Sequence, residues 1–338
     1  MSNIKEIALL SGVSKSTVSR VISGHGYTSQ EAKDKVLKVI QELQYKPNAI
    51  ARAMVLQRTH NIGILIYRRD YPIVSHPFYG KIIDAILATA ARMNYSVFVT
   101  TDHEMSLRSA DFMMEKRVDG LILISRLEQN VIDHISKFGV PYVMVNGSTN
   151  VDGVVHIVNR DQEGGREAAR HLTGLGHRKI FMLAGPQDHR SHHLRLEGFR
   201  DYMQEHHLDI SEDAIAYPVA STFEAGYRAM SEHWEHFRQG AYTAVFGTND
   251  MIGLGAMKFL HEQGLSVPEQ VAVMGFDDID ISSITNPPLT TIRVDTQQMG
   301  HVACVMLDKL IRENSVKETI LELKPELVIR HSTSHQDT

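Results

Sequence analysis

The chain has 338 residues, a formal net charge of −5, 43% hydrophobic and 22% charged residues, and one cysteine. That is an ordinary globular composition, enough for two or three packed units at roughly 100–200 residues each. No apolar stretch reaches the ~20 residues that span a bilayer, and a lone Cys304 makes neither an internal disulfide nor a CxxC zinc knuckle. Secreted, membrane and zinc-finger readings are therefore set aside, and nothing opposes a reducing cytoplasm. Charge is uneven: the first 58 residues carry nine Lys/Arg against four Asp/Glu, or +5, which leaves −10 on the remainder. A small basic head on a large acidic body is expected to meet a polyanion through the head.

In the head, Asn3-Ile-Lys-Glu6 reads as a helix start, with Ile4, Ile7 and Ala8 on one face. Gly12 breaks that helix. Ser14 is placed to cap a second, in which Val18, Val21 and Ile22 recur at helical spacing. Thr28-Ser-Gln-Glu31 reads as another capping box, followed by Ala32, Val36, Val39, Ile40 and Leu43 on a third amphipathic helix. Small Ala8, the Gly12 turn and Val18 have the spacing of a helix-turn-helix, and the second helix then exposes Lys15, Ser16, Thr17, Ser19 and Arg20, donors suited to phosphate and base edges. Pro47 ends this unit. Asn48-Ala-Ile-Ala-Arg-Ala-Met54 can begin a short helix, too short to be stable without a partner surface.

From Asn61 short apolar strands alternate with helices: NIGILI, SVFVT, DGLILI, PYVMVN, KIFMLAG, TAVFGTND and QVAVMGFDD. One helix carries Ile82, Ile83, Ile86 and Leu87, and another segment carries Phe223, Tyr227, Met230, Trp234 and Phe237. Continuous apolar strands in this order predict parallel sheets covered on both faces, and the length favours two doubly wound lobes with a ligand between them. The expected divisions are 1–46 for the headpiece, 47–58 for the hinge helix and linker, and 59–338 for a two-lobed effector-binding and dimerisation core.

The run VSKSTVSRVISG, followed by Tyr45-Lys-Pro-Asn48 and Ala51-Arg52, resembles the lactose-repressor (LacI/GalR) family of bacterial transcription regulators. Further matches follow in order across nearly the whole chain: His76-Pro-Phe-Tyr79, Val118-Asp-Gly120, Leu175-Gly-His177, Thr248-Asn-Asp250, Gly275-Phe-Asp-Asp278 and Pro288-Leu-Thr-Thr291. The resemblance implies a cytoplasmic homodimer on a pseudo-palindromic operator, with a type I periplasmic-binding-protein-like core. By position it places Lys15, Ser16 and Arg20 on bases and Ser14, Thr17 and Asn48 on phosphate or in helix positioning, adds Arg52 to the DNA-binding set, and makes Met54 the side chain wedged into the minor groove, where many relatives have leucine.

The same resemblance puts Phe78, Asn146, Arg195, Asn249 and Asp277 around the effector. Arg195 and Asp277 are expected to serve vicinal hydroxyls as donor and acceptor, and Phe78 to offer a ring face to a sugar. Asn146 stands where many relatives have Asp, and Arg160-Asp161 where many have an Asp-Asn-like pair; with Arg68-Arg69, these departures favour a more anionic ligand such as a sugar phosphate. Ligand binding is expected to change the angle between the lobes, displace the hinge helices and alter operator affinity, as inducer or as co-repressor.

No cofactor, metal site or catalytic residue is expected. His189-Arg-Ser-His-His193, His206-His207 and His233-Trp-Glu-His236 lack a metal-ligand pattern comparable to HExxH and read as surface loops, and Cys304 falls on an apolar helix face beside Val302, Met306 and Leu310. The alternatives are a stand-alone ligand-binding protein and a co-repressor-dependent global regulator. The absence of a heptad-bearing tail after Arg330 favours a dimer over a tail-mediated tetramer.

Overall fold

The computed structural model describes residues 4–23, 26–45, 58–66, 75–100, 107–115, 118–125, 127–147, 149, 151–208, 210–313 and 317–333. The expected hinge helix with Asn48, Arg52 and Met54 lies outside the described residues, as do Asn3 and Arg68-Arg69.

Three helices form the head: α1 (Ile4–Ser11), α2 (Lys15–Ser23) and α3 (Gln30–Glu42). Gly12, at φ +67°, makes the turn between the first two, a left-handed conformation that costs glycine no Cβ clash. Ile7, Ala8, Val18, Val36 and Val39 are buried together, with Ile4, Val21, Ile22, Ile40 and Leu43 packed around them. The apolar seam is therefore the one the spacing predicts, apart from Ala32, which lies outside this cluster. The cap of α3 is one residue later than predicted. Ser29, extended at φ −61° and ψ 147°, accepts from the Ala32 amide, while Glu31 pairs with Lys35 at 2.7 Å instead of reaching back.

In the core, β1 (Asn61–Ile66), β2 (Ser96–Thr100), β3 (Gly120–Ile124), β4 (Tyr142–Val145) and β5 (Val155–Asn159) join β11 (Ile320–Leu323) in a parallel sheet of order β11-β5-β4-β3-β1-β2. Helix α4 (Tyr79–Arg92) buries Ile82, Ile83 and Ile86 against it and leaves Leu87 exposed; α5 (Leu107–Glu115) and α6 (Gln129–Ser136) complete the crossovers. The second lobe has α7 (Asp161–Gly174), α8 (Arg190–Glu205), α9 (Phe223–Glu232), α10 (Trp234–Gln239) and α11 (Asp250–Glu262) around a parallel sheet, order β7-β6-β8-β9, of β6 (Ile180–Leu183), β7 (Ile215–Ala216), β8 (Ala244–Gly247) and β9 (Ala272–Met274). The helical segment predicted from Phe223 to Phe237 is two helices, broken at His233.

The chain crosses between lobes three times. After β5 it enters α7. After β10 (Thr291–Arg293) it returns through α12 (Thr296–Glu313), which packs on α4, and through β11. It then crosses back into β12 (Glu326–Val328), antiparallel to β10. The strands missed by pattern are β5, interrupted by polar His156, and the two- to four-residue β7, β10, β11 and β12, too short to show a period. Two glycines bring α7 and α8 into backbone contact. A Cβ on Gly165 would lie 2.0 Å from the Arg195 carbonyl oxygen, and one on Gly198 1.9 Å from that of Gln162. This crossing sets Arg195 over the first turn of α7.

Candidate functional site

Two surfaces carry the predicted residues. On the head, Ser14 caps α2: its Oγ accepts from the Thr17 amide at 3.1 Å and lies 2.7 Å from Ser16 Oγ and 2.9 Å from Thr17 Oγ1. The Ser14 hydroxyl thus already serves to organise the start of the helix. With Val18 buried beneath, Lys15, Ser16 and Arg20 are exposed and Thr17 half-buried on the outer side of α2. One short helix so presents two cations and two hydroxyls to a partner, from a scaffold that buries its other face.

The second surface lies between the lobes, at the carboxyl ends of strands from both sheets. His76, Phe78, Tyr79, Asn146, His189, Ser191, His192, Arg195, Ser221, Asn249 and Asp277 line it, so all five predicted cleft residues come together. They approach so closely that about 30 Å³ remains between them, room for one or two water molecules. A larger groove, about 810 Å³, runs past Lys81, Asp280, Arg293 and Arg330. Its cations already face carboxylates, with Lys81 2.6 Å from Asp280 and Asp278 held between Arg293 at 2.7 Å and Arg330 at 2.5 Å. The smaller cleft, which gathers the predicted residues, is therefore the candidate site.

Arg195 is the centre of that cleft. Its Nε donates to Asp161 Oδ1 at 2.8 Å, Nη1 donates to the Thr248 carbonyl at 2.6 Å and lies 3.1 Å from Asp277 Oδ1, and the guanidinium sits 3.7 Å from the centroid of Phe276. Burial opposes its charge, and Asp161 and Asp277 outweigh that burial and hold its pKa above the ordinary value. Sequence reasoning offered Arg195 and Asp277 to ligand hydroxyls as separate groups, whereas here they face each other, with Asp161 as an unanticipated third member. Asp161 was legible only as a family position; its pairing depends on the Gly165–Gly198 crossing.

Asp277 occupies a left-handed backbone conformation, φ 113°, followed by Asp278 at φ 57°. Non-glycine residues there are strained and persist only where surroundings enforce them. Asp250 supplies that enforcement. Its carboxylate accepts from the Ile279 amide at 2.9 Å, Ser282 Oγ at 2.7 Å and Thr291 Oγ1 at 2.5 Å, and its own amide donates to the Phe276 carbonyl at 2.7 Å. Burial pushes the Asp250 carboxyl up to about 6, against those three donors. Burial pushes Asp277 up to about 7, although Arg195 opposes it.

Asn249 caps α11, accepting from the Ile252 amide at 2.8 Å, and donates to the Ser221 carbonyl at 3.2 Å. Asn146, at φ 53°, bridges the lobes: Nδ2 donates to Tyr79 OH at 3.1 Å and Oδ1 accepts from Ser191 Oγ at 3.0 Å. Phe78 is buried edge-on to Tyr79 at 5.1 Å.

Three placements correct the earlier reading. Arg160 does not line the cleft; it is half exposed and lies 3.4 Å from both Glu163 and Glu322, so it adds no positive charge there. His189 and His192 are cleft residues instead of surface-loop residues, and His192 is buried between Thr248 at 2.7 Å and Ser221 at 2.8 Å. The available signal was spacing: Ser191 and His192 precede Arg195 by four and three residues, hence share its helix face.

Among the described residues, no group of three or more His, Cys, Asp or Glu side chains is placed to hold a metal ion, and no helix is long and apolar enough to cross a membrane. Cys304 is buried, its thiol donates to the Ile86 carbonyl at 3.4 Å, and burial pushes its pKa up to about 12.

Residues 3–48 match the model of bacterial regulatory proteins of the lacI family, and residues 169–333 match a periplasmic binding protein-like domain. The transcriptional repressor PurR of Pasteurella multocida is 33% identical over 98% of both chains. The ribose operon repressor of Escherichia coli is 33% identical over 98% of this chain and all of that one. Among solved structures, the lac repressor dimer bound to operator superposes with a TM-score of 0.83 at 27% identity, covering 98% of this chain and 99% of that one. A CelR–cellobiose complex superposes with a TM-score of 0.75 at 28% identity, covering 98% of this chain and 100% of that one. With relatives a third identical and matched almost end to end, the chain belongs to the lacI family of bacterial regulatory proteins.

Proposed function

We propose that this protein is a sequence-specific transcriptional repressor that binds a pseudo-palindromic operator as a homodimer and is controlled by a small sugar-class effector held between its lobes. The observation that carries the DNA half is α2, with Val18 buried and Lys15, Ser16, Thr17 and Arg20 on its outer side. Relatives a third identical are named repressors. In this reading Lys15, Ser16 and Arg20 read base edges in the major groove, Ser14 and Thr17 set the helix on the backbone, and residues 47–58, with Asn48, Arg52 and Met54, connect the headpiece (1–46) to the core (59–338) and engage the minor groove.

The effector half rests on the cleft. Space of about 30 Å³ admits no sugar, so uptake requires the lobes to part, and Asn146 is the residue whose bonds to Tyr79 in one lobe and Ser191 in the other respond to that motion. An effector that binds one lobe angle more tightly shifts the population of operator-binding forms, and operator binding shifts effector affinity by the same factor.

The test is selection of bound duplexes from a random library at fixed moderate salt. Enrichment of an inverted repeat with half-site centres about one helical turn apart is the expected result. Absence of enrichment, with and without candidate effectors, removes the repressor reading and leaves a ligand-binding protein.

A further inference from the structure

Asp119, from the Val118-Asp-Gly120 motif, does not line the cleft; it meets the point where the linker enters the core. Its Oδ1 accepts from the Thr59 amide at 2.7 Å and from Thr59 Oγ1 at 2.8 Å, and its Oδ2 accepts from the His60 amide at 2.8 Å. One carboxylate thus takes three donors from the first two residues after the linker, and the Asp119 amide donates in turn to the Asn61 carbonyl at 2.7 Å. Bonds from backbone amides to a charged acceptor are among the stronger ones. Arg58, the last linker residue, adds a second hold. Its Nη2 donates at 3.0 Å to the carbonyl of Ile311, in the last turn of α12, where helix carbonyls have no partner within the helix.

The backbone at this junction is bent against its preference. His60 stands at φ 56°, in the left-handed region, although it carries a Cβ. Such a conformation persists only where the surroundings over-determine it, and here they do. Asp119 fixes the His60 amide, the Ser96 amide donates to the His60 carbonyl at 2.8 Å, and the imidazole lies 5.8 Å from the ring of Tyr95. The Tyr95 hydroxyl donates to Asp308 of α12 at 2.9 Å. The starts of β1, β2 and β3 and the end of α12 therefore converge on the kink, and all four pack in the first lobe. There α12 is seated on bare backbone: a Cβ on Gly300 would lie 2.6 Å from the Ile82 carbonyl oxygen, and one on Gly120 2.7 Å from Leu307.

Building on the repressor reading, we propose that Asp119 and the left-handed kink at His60 clamp the direction in which the linker leaves the first lobe. Asp119, Arg58 and His60 are then positioning residues for operator binding by two headpieces at once. In a dimer the second headpiece binds intramolecularly, at an effective concentration set by how the connection spans the two half-sites. A fixed exit direction concentrates the headpieces at one half-site separation. A swivelling exit spreads them over many, so the matched operator is bound more weakly and mismatched spacings are rejected less. The clamp also carries lobe motion to the headpieces, because the root of the linker cannot stay behind when the first lobe moves.

The test uses the full-length protein and the inverted repeat recovered by the duplex selection, copies of it with the half-site separation changed by one or two base pairs, and a single half-site duplex. Asp119→Asn takes away one acceptor oxygen and keeps the shape. His60→Val puts a β-branched residue where φ is positive, and His60→Gly is the rescue, since glycine takes that conformation freely. Wild type and His60→Gly are expected to prefer one spacing. In Asp119→Asn and His60→Val we expect the matched operator to bind roughly tenfold more weakly and the spacing preference to flatten, with half-site affinity within about twofold of wild type. No spacing preference in the wild type, an undiminished one in Asp119→Asn or His60→Val, the same loss in His60→Gly as in His60→Val, or a half-site affinity that falls with that of the full site overturns the inference and leaves the repressor reading standing. If Asp119→Asn does not fold, the two His60 variants decide. A selection that enriches no inverted repeat removes the repressor reading itself, and this inference with it.

Discussion

Replacing Arg195 by methionine tests the electrostatic account of the cleft at its centre. The side chain is buried between Asp161 at 2.8 Å and Asp277 at 3.1 Å, one positive charge against two negative ones. At pH 8, above the value of about 7 to which burial raises Asp277, Arg195→Met keeps most of the apolar stem over Phe276 and leaves two buried carboxylates with no counter-charge. Removing one partner of a buried ion pair costs about 3–5 kcal/mol, which at ~2–4 °C per kcal/mol lowers Tm by roughly 6–20 °C. Asp277→Asn takes away the surplus negative charge and leaves Arg195 balanced one-to-one by Asp161, so its cost is expected to be under ~1 kcal/mol. Urea and thermal denaturation of the two variants beside the wild type provide the comparison. Equal losses in both variants, or a loss below ~1 kcal/mol in Arg195→Met, would show that the guanidinium is not the charge that holds these carboxylates together.

The same pair of proteins predicts a pH signature. Burial raises the Asp277 carboxyl to about 7 in the folded chain, above its ordinary unfolded value near ~3.9, so the folded state holds this proton more tightly and its contribution to stability is lost as pH rises from about 4 to about 7. The Tm of Asp277→Asn minus that of the wild type should therefore climb through that window and level off above it; a flat difference would mean that Asp277 is ionised throughout. On the head, Arg20→Ala should relax base preference and cost about 1–3 kcal/mol of operator affinity, read by repeating the duplex selection, and unchanged specificity would reassign Arg20 to phosphate. Ser14→Ala removes the cap on the Thr17 amide and should cost about 1 kcal/mol of headpiece stability, seen as faster amide exchange at Thr17; unchanged exchange would show that another group caps α2.

Legibility followed the range of the interaction. The three headpiece helices and the long buried strands declare themselves through spacing over a few residues, because their apolar faces must coincide with one seam or one sheet. Even so, the competition at Thr28-Ser-Gln-Glu31 was decided by Glu31 pairing with Lys35 while Ser29 took the cap. The five predicted cleft residues line one cleft, yet their partners were not visible. Asp161 meets Arg195 across 34 residues, Ser221 meets His192 across 29, and Thr248 meets His192 across 56. Arg160, which looked like a cleft cation, is drawn off by Glu163 and Glu322.

What the sequence determined by itself was therefore the kind of molecule: a basic three-helix head with Val18 inward and Arg20 outward, attached to a two-lobed α/β core with a cleft at its strand ends. Only the tertiary structure decided the character of that site. The close crossing of α7 and α8 at Gly165 and Gly198 sets Arg195 between two carboxylates, and the turn held by Asp250 aims Asp277 at it. Periodicity encodes which face of an element is buried; the sign of charge and the direction of each hydrogen bond inside a cleft depend on side chains brought together from far apart along the chain, and those are settled only by packing.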